Sequence, residues 1–331
     1  MKINDVVGID VSKLTIDVVI HLSKDYRQFE NTNKGFGILC KWALSQSKVD
    51  KKNLLFVFEH TGLYSHQLAV YLSKEEFNFA MIPGLEIKRS LGIARGKDDK
   101  IDAAKIARYA YRLRDEITLT TLPSDEIQKL KHFLSLRDRM VKQRAGYKTS
   151  LKEMKRVFTM KENPLLFTSQ QSIITSFNKQ ITKLDKQMDQ IVLKNKELKL
   201  LFDLITSIKG VGPQTALYVI VTTEGFLKFK TSRSFASYCG VAPFPNTSGT
   251  SIRGRTKVSN LANKKMKSLF DLAAKSAIQY NQELKVYYNR RIEDGKSKMS
   301  TINIVRNKLI ARIFAVVKRG SPYVDIMKYA A

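Results

Sequence analysis

The run Leu54-Leu55-Phe56-Val57-Phe58, closed by Glu59, constrains this chain more than any other stretch. An unbroken apolar run bounded by polar residues reads as a strand buried on both faces, which places it inside a sheet covered from two sides. The surrounding sequence supplies the remaining parts. Val6 to Ile20 reads as two apolar strands broken at Ser12-Lys13, and Tyr26 to Asn33 as a third completing an antiparallel meander. Helical periodicity follows from Gly35 to Ser45 and again from about Tyr64 to Ser73, and Asn78 to Ile82 gives a last short strand ending at Pro83-Gly84.

Three strands, a helix, then strand, helix, strand is the order of a ribonuclease H-like (RNase H-like) α/β sheet, in which the first and fourth strands lie side by side. Residues 85–115, rich in Lys, Arg, Ala and Ile and free of proline, read as one or two helices leaving the sheet. Leu122-Pro123-Ser124-Asp125 marks a boundary and a helix N-cap. A lysine-rich helical region follows, broken near Asn163-Pro164. In its second half Ile174, Phe177, Ile181, Leu184, Met188 and Ile191 recur at spacings of three and four, the seam of a coiled coil. The partner helix fits equally in the same chain or in another copy. Beyond Leu200, short helices are punctuated by glycine and interrupted by a Gly, Ser and Thr-rich loop from Asn246 to Thr256. The expected domains are 1–120, an RNase H-like catalytic domain; 121–199, a helical coiled-coil linker; and 200–331, a mainly α C-terminal domain carrying the serine loop.

Charge is distributed unevenly along this chain. The 331 residues carry 58 Lys plus Arg against 30 Asp plus Glu, a net +28 that points to a polyanionic partner. Residues 1–123 hold 19 basic and 15 acidic side chains, and residues 124–331 hold 39 and 15, so the binding charge sits late. Cys40 and Cys239 are the only cysteines, which excludes a disulfide framework and a cysteine-rich zinc site. No apolar run reaches the roughly eighteen residues of a membrane span, and the N-terminus begins a strand, so a cytoplasmic protein without a membrane partner is expected.

Four acids stand where fold formation gives them no purpose. Asp10 ends an apolar strand in Val-Val-Gly-Ile-Asp-Val-Ser-Lys, and Glu59 ends the buried run in the same way. Adjacent first and fourth strands would bring the two nearly into contact. Asp99 and Asp102, three residues apart in Lys-Asp-Asp-Lys-Ile-Asp-Ala-Ala-Lys, share one helical face, where a bound cation would relieve their repulsion. Asp98 either replaces Asp99 as a ligand or caps the helix. Hard oxygen donors from several elements suit Mg²⁺, and two such ions about 4 Å apart serve in-line displacement at a phosphodiester.

In the second half, Gly210-Val211-Gly212-Pro213 between apolar helices resembles the turn of a helix-hairpin-helix, whose amides at Gly210 and Gly212 would grip phosphate; a plain helix–helix turn is the alternative. Ser248, beside Gly249 and followed by Arg253, Arg255 and Lys257, is a hydroxyl in a cationic loop fit to hold a nucleic-acid backbone. On the residues alone a Ser-Gly pair is an ordinary turn.

These motifs together resemble the insertion-sequence transposases with an Asp-Glu-Asp-Asp tetrad, the group that includes the Piv-type DNA invertases. The resemblance runs through Gly8-Ile9-Asp10-Val11-Ser12-Lys13, Glu59-His60-Thr61-Gly62-Leu63-Tyr64 and Lys97-Asp98-Asp99-Lys100-Ile101-Asp102-Ala103. It continues through Ile208-Lys209-Gly210-Val211-Gly212-Pro213 and Tyr238-Cys239-Gly240-Val241-Ala242-Pro243 to Ser248-Gly249. Lys209 departs from the group's usual proline, Asp98 from a small polar residue, and Ala262 from glycine. The resemblance implies a RuvC-like first domain whose Asp10, Glu59, Asp99 and Asp102 hold two Mg²⁺ ions, and a Ser248 that attacks DNA to form a phosphoserine link. Tyr238, Thr250 and Ser251 are the other hydroxyls near enough in sequence to weigh. It also implies donor and target DNA chosen by a bridge RNA, and a homo-oligomer, dimer or tetramer, in which the acids of one subunit serve the serine of another. The other readings of the same residues are a nuclease or resolvase that hydrolyses DNA without a serine adduct, and a non-enzymatic RNA-binding scaffold.

Overall fold

Residues 2–90, 98–248 and 252–325 are described by a computed structural model; for residues 246–248, 252, 253 and 255 the description covers the backbone alone. The chain divides into two units, Met1–Leu122 and Pro123–Ala331.

In the first unit, β1 (Asp5–Val11), β2 (Thr15–Ile20) and β3 (Tyr26–Glu30) form the antiparallel meander; β4 (Leu54–Glu59) and β5 (Asn78–Ile82) then add in parallel, in the order β3-β2-β1-β4-β5. The first and fourth strands are neighbours, as the element order predicts. Strand alternation assigns each side chain a face. Val7, Ile9, Val18, Phe56 and Phe58 pack with Phe36, Leu39 and Leu68 from α1 (Asn33–Ser47) and α2 (Leu63–Lys74). Val6, Leu55, Val57, Ala80 and Ile82 pack on the opposite face with Ile87 and Ile106 from α3 (Gly84–Ser90) and α4 (Asp99–Arg112). Leu54 to Phe58 are completely buried, because β4 is central and covered on both sides.

One expectation is corrected here. Of residues 85–115, expected as helices leaving the sheet, 91–97 lie outside the described residues and α4 lies directly on the sheet. Gly8 permits this approach: a Cβ at that position would stand 2.3 Å from the Ala107 nitrogen and 2.5 Å from the Ala103 oxygen. Ala103 and Ala107 are themselves buried against Val19. Small residues on strand and helix let the two backbones nearly touch.

The second unit is mostly helical. α5 (Asp125–Met154) and α6 (Pro164–Lys194) lie antiparallel, tied by Arg137 to Asp185 at 2.6 Å and Arg144 to Asn178 at 2.7 Å, with the Tyr147 and Phe177 rings 6.1 Å apart. Phe167, Ile174, Ile181 and Met188 are buried at seven-residue intervals along α6, Val192 is buried near its end, and Phe177, Leu184 and Ile191 are half-buried. Within the described residues, then, α6 has a partner helix in its own chain. α7 (Lys196–Thr206), α8 (Pro213–Thr222), α9 (Ser232–Tyr238), α10 (Lys264–Tyr280), α11 (Gln282–Glu293) and α12 (Lys298–Arg319) enclose a core around Phe235, Phe270, Val219, Leu309 and Ile313. α10 and α12 are longer than the short helices expected beyond Leu200.

The stretch expected as a loop from Asn246 to Thr256 is instead largely an antiparallel pair, β6 (Pro243–Ser248) and β7 (Ile252–Val258). Backbone pairing across the two segments organises residues whose side chains carry no strand periodicity, and a register irregularity between Phe244 and Asn246 accommodates the Pro245 position. Among the described residues no helix is long and apolar enough to cross a membrane.

Candidate active site and nucleic-acid interface

Asp10 is the penultimate residue of β1 and Glu59 the last of β4, each one step beyond the paired Ile9 and Phe58. Both therefore reach the same end of the sheet on the face that α4 covers. The close packing of α4 at Gly8 carries its first turn, with Asp99 and Asp102, to that end. Asp98 caps the helix, its Oδ1 accepting the Lys100 N–H at 3.0 Å. The positive end of the helix dipole lies among these carboxylates and favours their charge. The Glu59 carboxylate lies against the α-carbon of Gly84, in space that a Cβ would occupy.

The electrostatics register this gathering. Burial pushes the Asp10 carboxyl up, and the negative charges of Asp99, Asp102, Asp17 and Glu59 push it further, to about 6. Four carboxylates from three other elements thus act on one. Their chemistry, hard oxygen throughout, fits a divalent cation of the Mg²⁺ type. Their positions are gathered and not converged: among the described residues no group of three or more His, Cys, Asp or Glu stands close enough to hold an ion. Asp102 is engaged by Lys105, Nζ to Oδ1 2.7 Å, so ligation through Asp102 requires it to exchange that ammonium for the cation.

Asp17 is the residue the sequence reading missed. It is the cross-strand partner of Asp10 and points to the same face, yet is only 2% exposed. Its signal was present as an acid inside the apolar strand Thr-Ile-Asp-Val-Val-Ile, the same anomaly that singled out Asp10.

In the second unit, Ser248 ends β6 with its Cα paired to Ile252, and Arg253 pairs with Thr247. The side chains of Ser248, Arg253 and Arg255, and Thr250 and Ser251 entirely, lie outside the described residues. Lys257, opposite Phe244, is exposed. The base of this hairpin is held from two sides. Asn303 and Asn307 of α12 both donate to the Val241 carbonyl, at 2.9 and 2.7 Å, and Arg233 of α9 donates to that of Pro243 at 2.9 Å. Tyr238 closes the same region, its hydroxyl 3.0 Å from Asn263 Nδ2.

Gly210 and Gly212 occupy the turn between α7 and α8 in different ways. Gly210 has φ +95° and packs so tightly on α10 that a Cβ would meet the Ala277 nitrogen at 2.6 Å, whereas the corresponding position at Gly212 faces open space. Lys209 in the same turn is paired with Asp325 at 2.8 Å.

Comparison with known proteins agrees with both halves. Residues 7–158 match the DEDD-type IS110 transposase family, and residues 202–289 match the Transposase IS116/IS110/IS902 family. Pilin gene-inverting proteins of Moraxella lacunata and Moraxella bovis are each 28% identical over 324 residues, covering 96% of this chain and 97% of the relative. The IS110 insertion-element 43.6 kDa protein of Streptomyces coelicolor is 29% identical over 152 residues, 46% of this chain and 36% of its own length. With one matched region over the acid-bearing sheet and another over the glycine turn and serine hairpin, the chain carries both transposase domains of the IS110 family.

Proposed function

We propose that this protein cuts and rejoins DNA by a metal-dependent serine mechanism in which Asp10, Glu59, Asp99 and Asp102 hold Mg²⁺ and Ser248 is the nucleophile. The observation that carries the reading is the crowding of carboxylates around Asp10, whose cost to the fold is intelligible for a cation site and for little else. Bound divalent ions supply activation of the attacking oxygen and stabilisation of the leaving oxygen. The chain's own part is to supply the nucleophile and hold the substrate. Ser248 Oγ bonds to phosphorus, the bond from phosphorus to the departing DNA hydroxyl breaks, and the serine proton is passed to that leaving oxygen. The phosphoserine keeps the bond energy, so attack by another DNA hydroxyl rejoins the strand and releases the serine. Insertion and inversion, the latter named in the Moraxella relatives, use the same pair of steps.

Arg253, Arg255 and Lys257 hold the phosphates beside the serine, and the amides at the Gly210 to Gly212 turn grip the backbone of donor or target DNA as in a helix-hairpin-helix. Gly212, open where Gly210 is packed, is the better placed of the two. A bridge RNA selects the sequences and two or four copies act together, the α5–α6 hairpin serving as a coiled-coil spacer between functional ends. Support for two polyanionic partners is the 39 basic against 15 acidic side chains of residues 124–331. The test is covalent trapping. Wild-type protein incubated with Mg²⁺, guide RNA and labelled DNA is expected to yield a protein–DNA adduct resistant to denaturation, and Ser248→Ala, folded by circular dichroism, to yield none. Cleavage without an adduct in the wild type indicates a hydrolytic nuclease, and an adduct retained by Ser248→Ala removes the serine from its role.

A further inference from the structure

We propose that Asp17, with Tyr26 and Gln28, is a positioning group for the divalent-ion site, an inference that rests on the reading of the Asp10 carboxylate cluster as that site. Strand register places Gln28 and Asp17 in a row with Asp10, and Tyr26, paired with Val19, lies diagonally across from Asp17 on the same face. Gln28 of β3 pairs with Asp17 of β2, Asp17 pairs with Asp10 of β1, and Glu59 of β4 stands next along the same face. Two carboxylates directly opposed across an antiparallel pair repel each other, and a buried anion is unfavourable unless its oxygens are satisfied. The Asp17 oxygens are satisfied from the edge strand: Oδ1 accepts the Tyr26 hydroxyl at 2.6 Å and Gln28 Nε2 at 3.1 Å, and Oδ2 lies 3.3 Å from the same Nε2.

These bonds reach beyond Asp17. The Tyr26 ring that donates to it lies beneath the ammonium of Lys100, 5.1 Å from the ring centroid. Lys100 belongs to the first turn of α4, between Asp99 and Asp102, so a continuous series of contacts joins the buried anion to the helix turn carrying half of the ligand set. Asp17 therefore acts in two ways. Its fixed negative charge beside Asp10 strengthens the attraction for a cation, and its hydrogen bond holds the ring on which the α4 turn rests. With Oδ1 held by two donors and Oδ2 beside the Gln28 amide, Asp17 is assigned a positioning role and not a place in the ligand set.

A purely structural role predicts a different outcome. Replacing Asp17 by asparagine keeps an acceptor for Tyr26 and removes a repulsion, so the metal-free fold should melt no lower than the wild type. Cation affinity should nevertheless fall. Full-length protein titrated calorimetrically with MnCl2 alone, without DNA, separates the possibilities. Wild type is expected to bind saturably, Asp10→Asn to lose binding, Asp17→Asn to bind about tenfold more weakly, and Tyr26→Phe to show a smaller loss in the same direction. Wild-type affinity in Asp17→Asn, with binding lost in Asp10→Asn, overturns the role of Asp17 and leaves the site reading intact. Absence of saturable binding in the wild type overturns both. Should Asp17→Asn fail to fold, Tyr26→Phe decides, since it removes a single hydroxyl from an exposed edge-strand residue, and wild-type affinity there overturns the proposal.

Discussion

At Asp10 a strand end, a helix start and two neighbouring strands deliver charge of one sign to one place. The folded-state carboxyl at about 6 lies above its ordinary 3.8, raised first by burial and then by Asp99, Asp102, Asp17 and Glu59. A group that holds its proton more tightly when folded favours folding below about pH 4, and that contribution is lost as pH rises through about 6. In chelator, Asp10→Asn is therefore expected to raise the melting temperature at pH 8 by about 3 °C and to leave it unchanged at pH 4. Thermal melts at the two pH values check this, and equal shifts at both would show that the carboxylates are not coupled. Such a gain from removing a reactive group is the usual sign of a site held against stability.

Among the elements, α4 is decisive, because its packing on β1 carries Asp99 and Asp102 to the sheet end. Gly8→Ala places a methyl group 2.3 Å from the Ala107 backbone, which cannot yield as a side chain would. The expected loss is about 2–3 kcal/mol of stability by urea unfolding, together with weakened Mn²⁺ binding as the helix is displaced. In the helical hairpin, Met188→Ala removes a fully buried contact and should cost about 2–4 kcal/mol, with faster proteolytic cleavage between α5 and α6. What the sequence revealed follows the same physics. β1, β2, β4 and β5 were legible because their apolar runs, above all Leu54–Phe58, report burial directly, and β3, exposed at four of its five positions, followed as the strand that completes the meander. The docking of α4 was not, since Gly8 shows in sequence only as a missing side chain and not as an approaching backbone. β6 and β7 were read as loop because Gly, Ser and Thr carry no period, and their order arises from pairing between segments. Asp17 escaped because a single acid within a strand looks solvent-facing until register sets it beside Asp10.

For the whole molecule, the four candidate ligand acids lie in the first unit, while Ser248 and most of the excess positive charge lie in the second. Binding to DNA is expected to weaken steeply with salt, with a log–log slope of several units, and to be nearly unchanged by Asp10→Asn, which filter binding across a salt series measures directly. A flat salt response would detach the basic second half from nucleic acid. The account as a whole stands on the carboxylates acting together in DNA breakage. The most direct measurement is strand cleavage of a cognate DNA with guide RNA, across a Mg²⁺ titration, for wild type, Asp10→Asn, Glu59→Gln, Asp99→Asn and Asp102→Asn at equal folded concentration. The account predicts Mg²⁺-dependent cleavage by the wild type and at least about a hundredfold loss in every variant. Cleavage that persists undiminished in any two of them would contradict it.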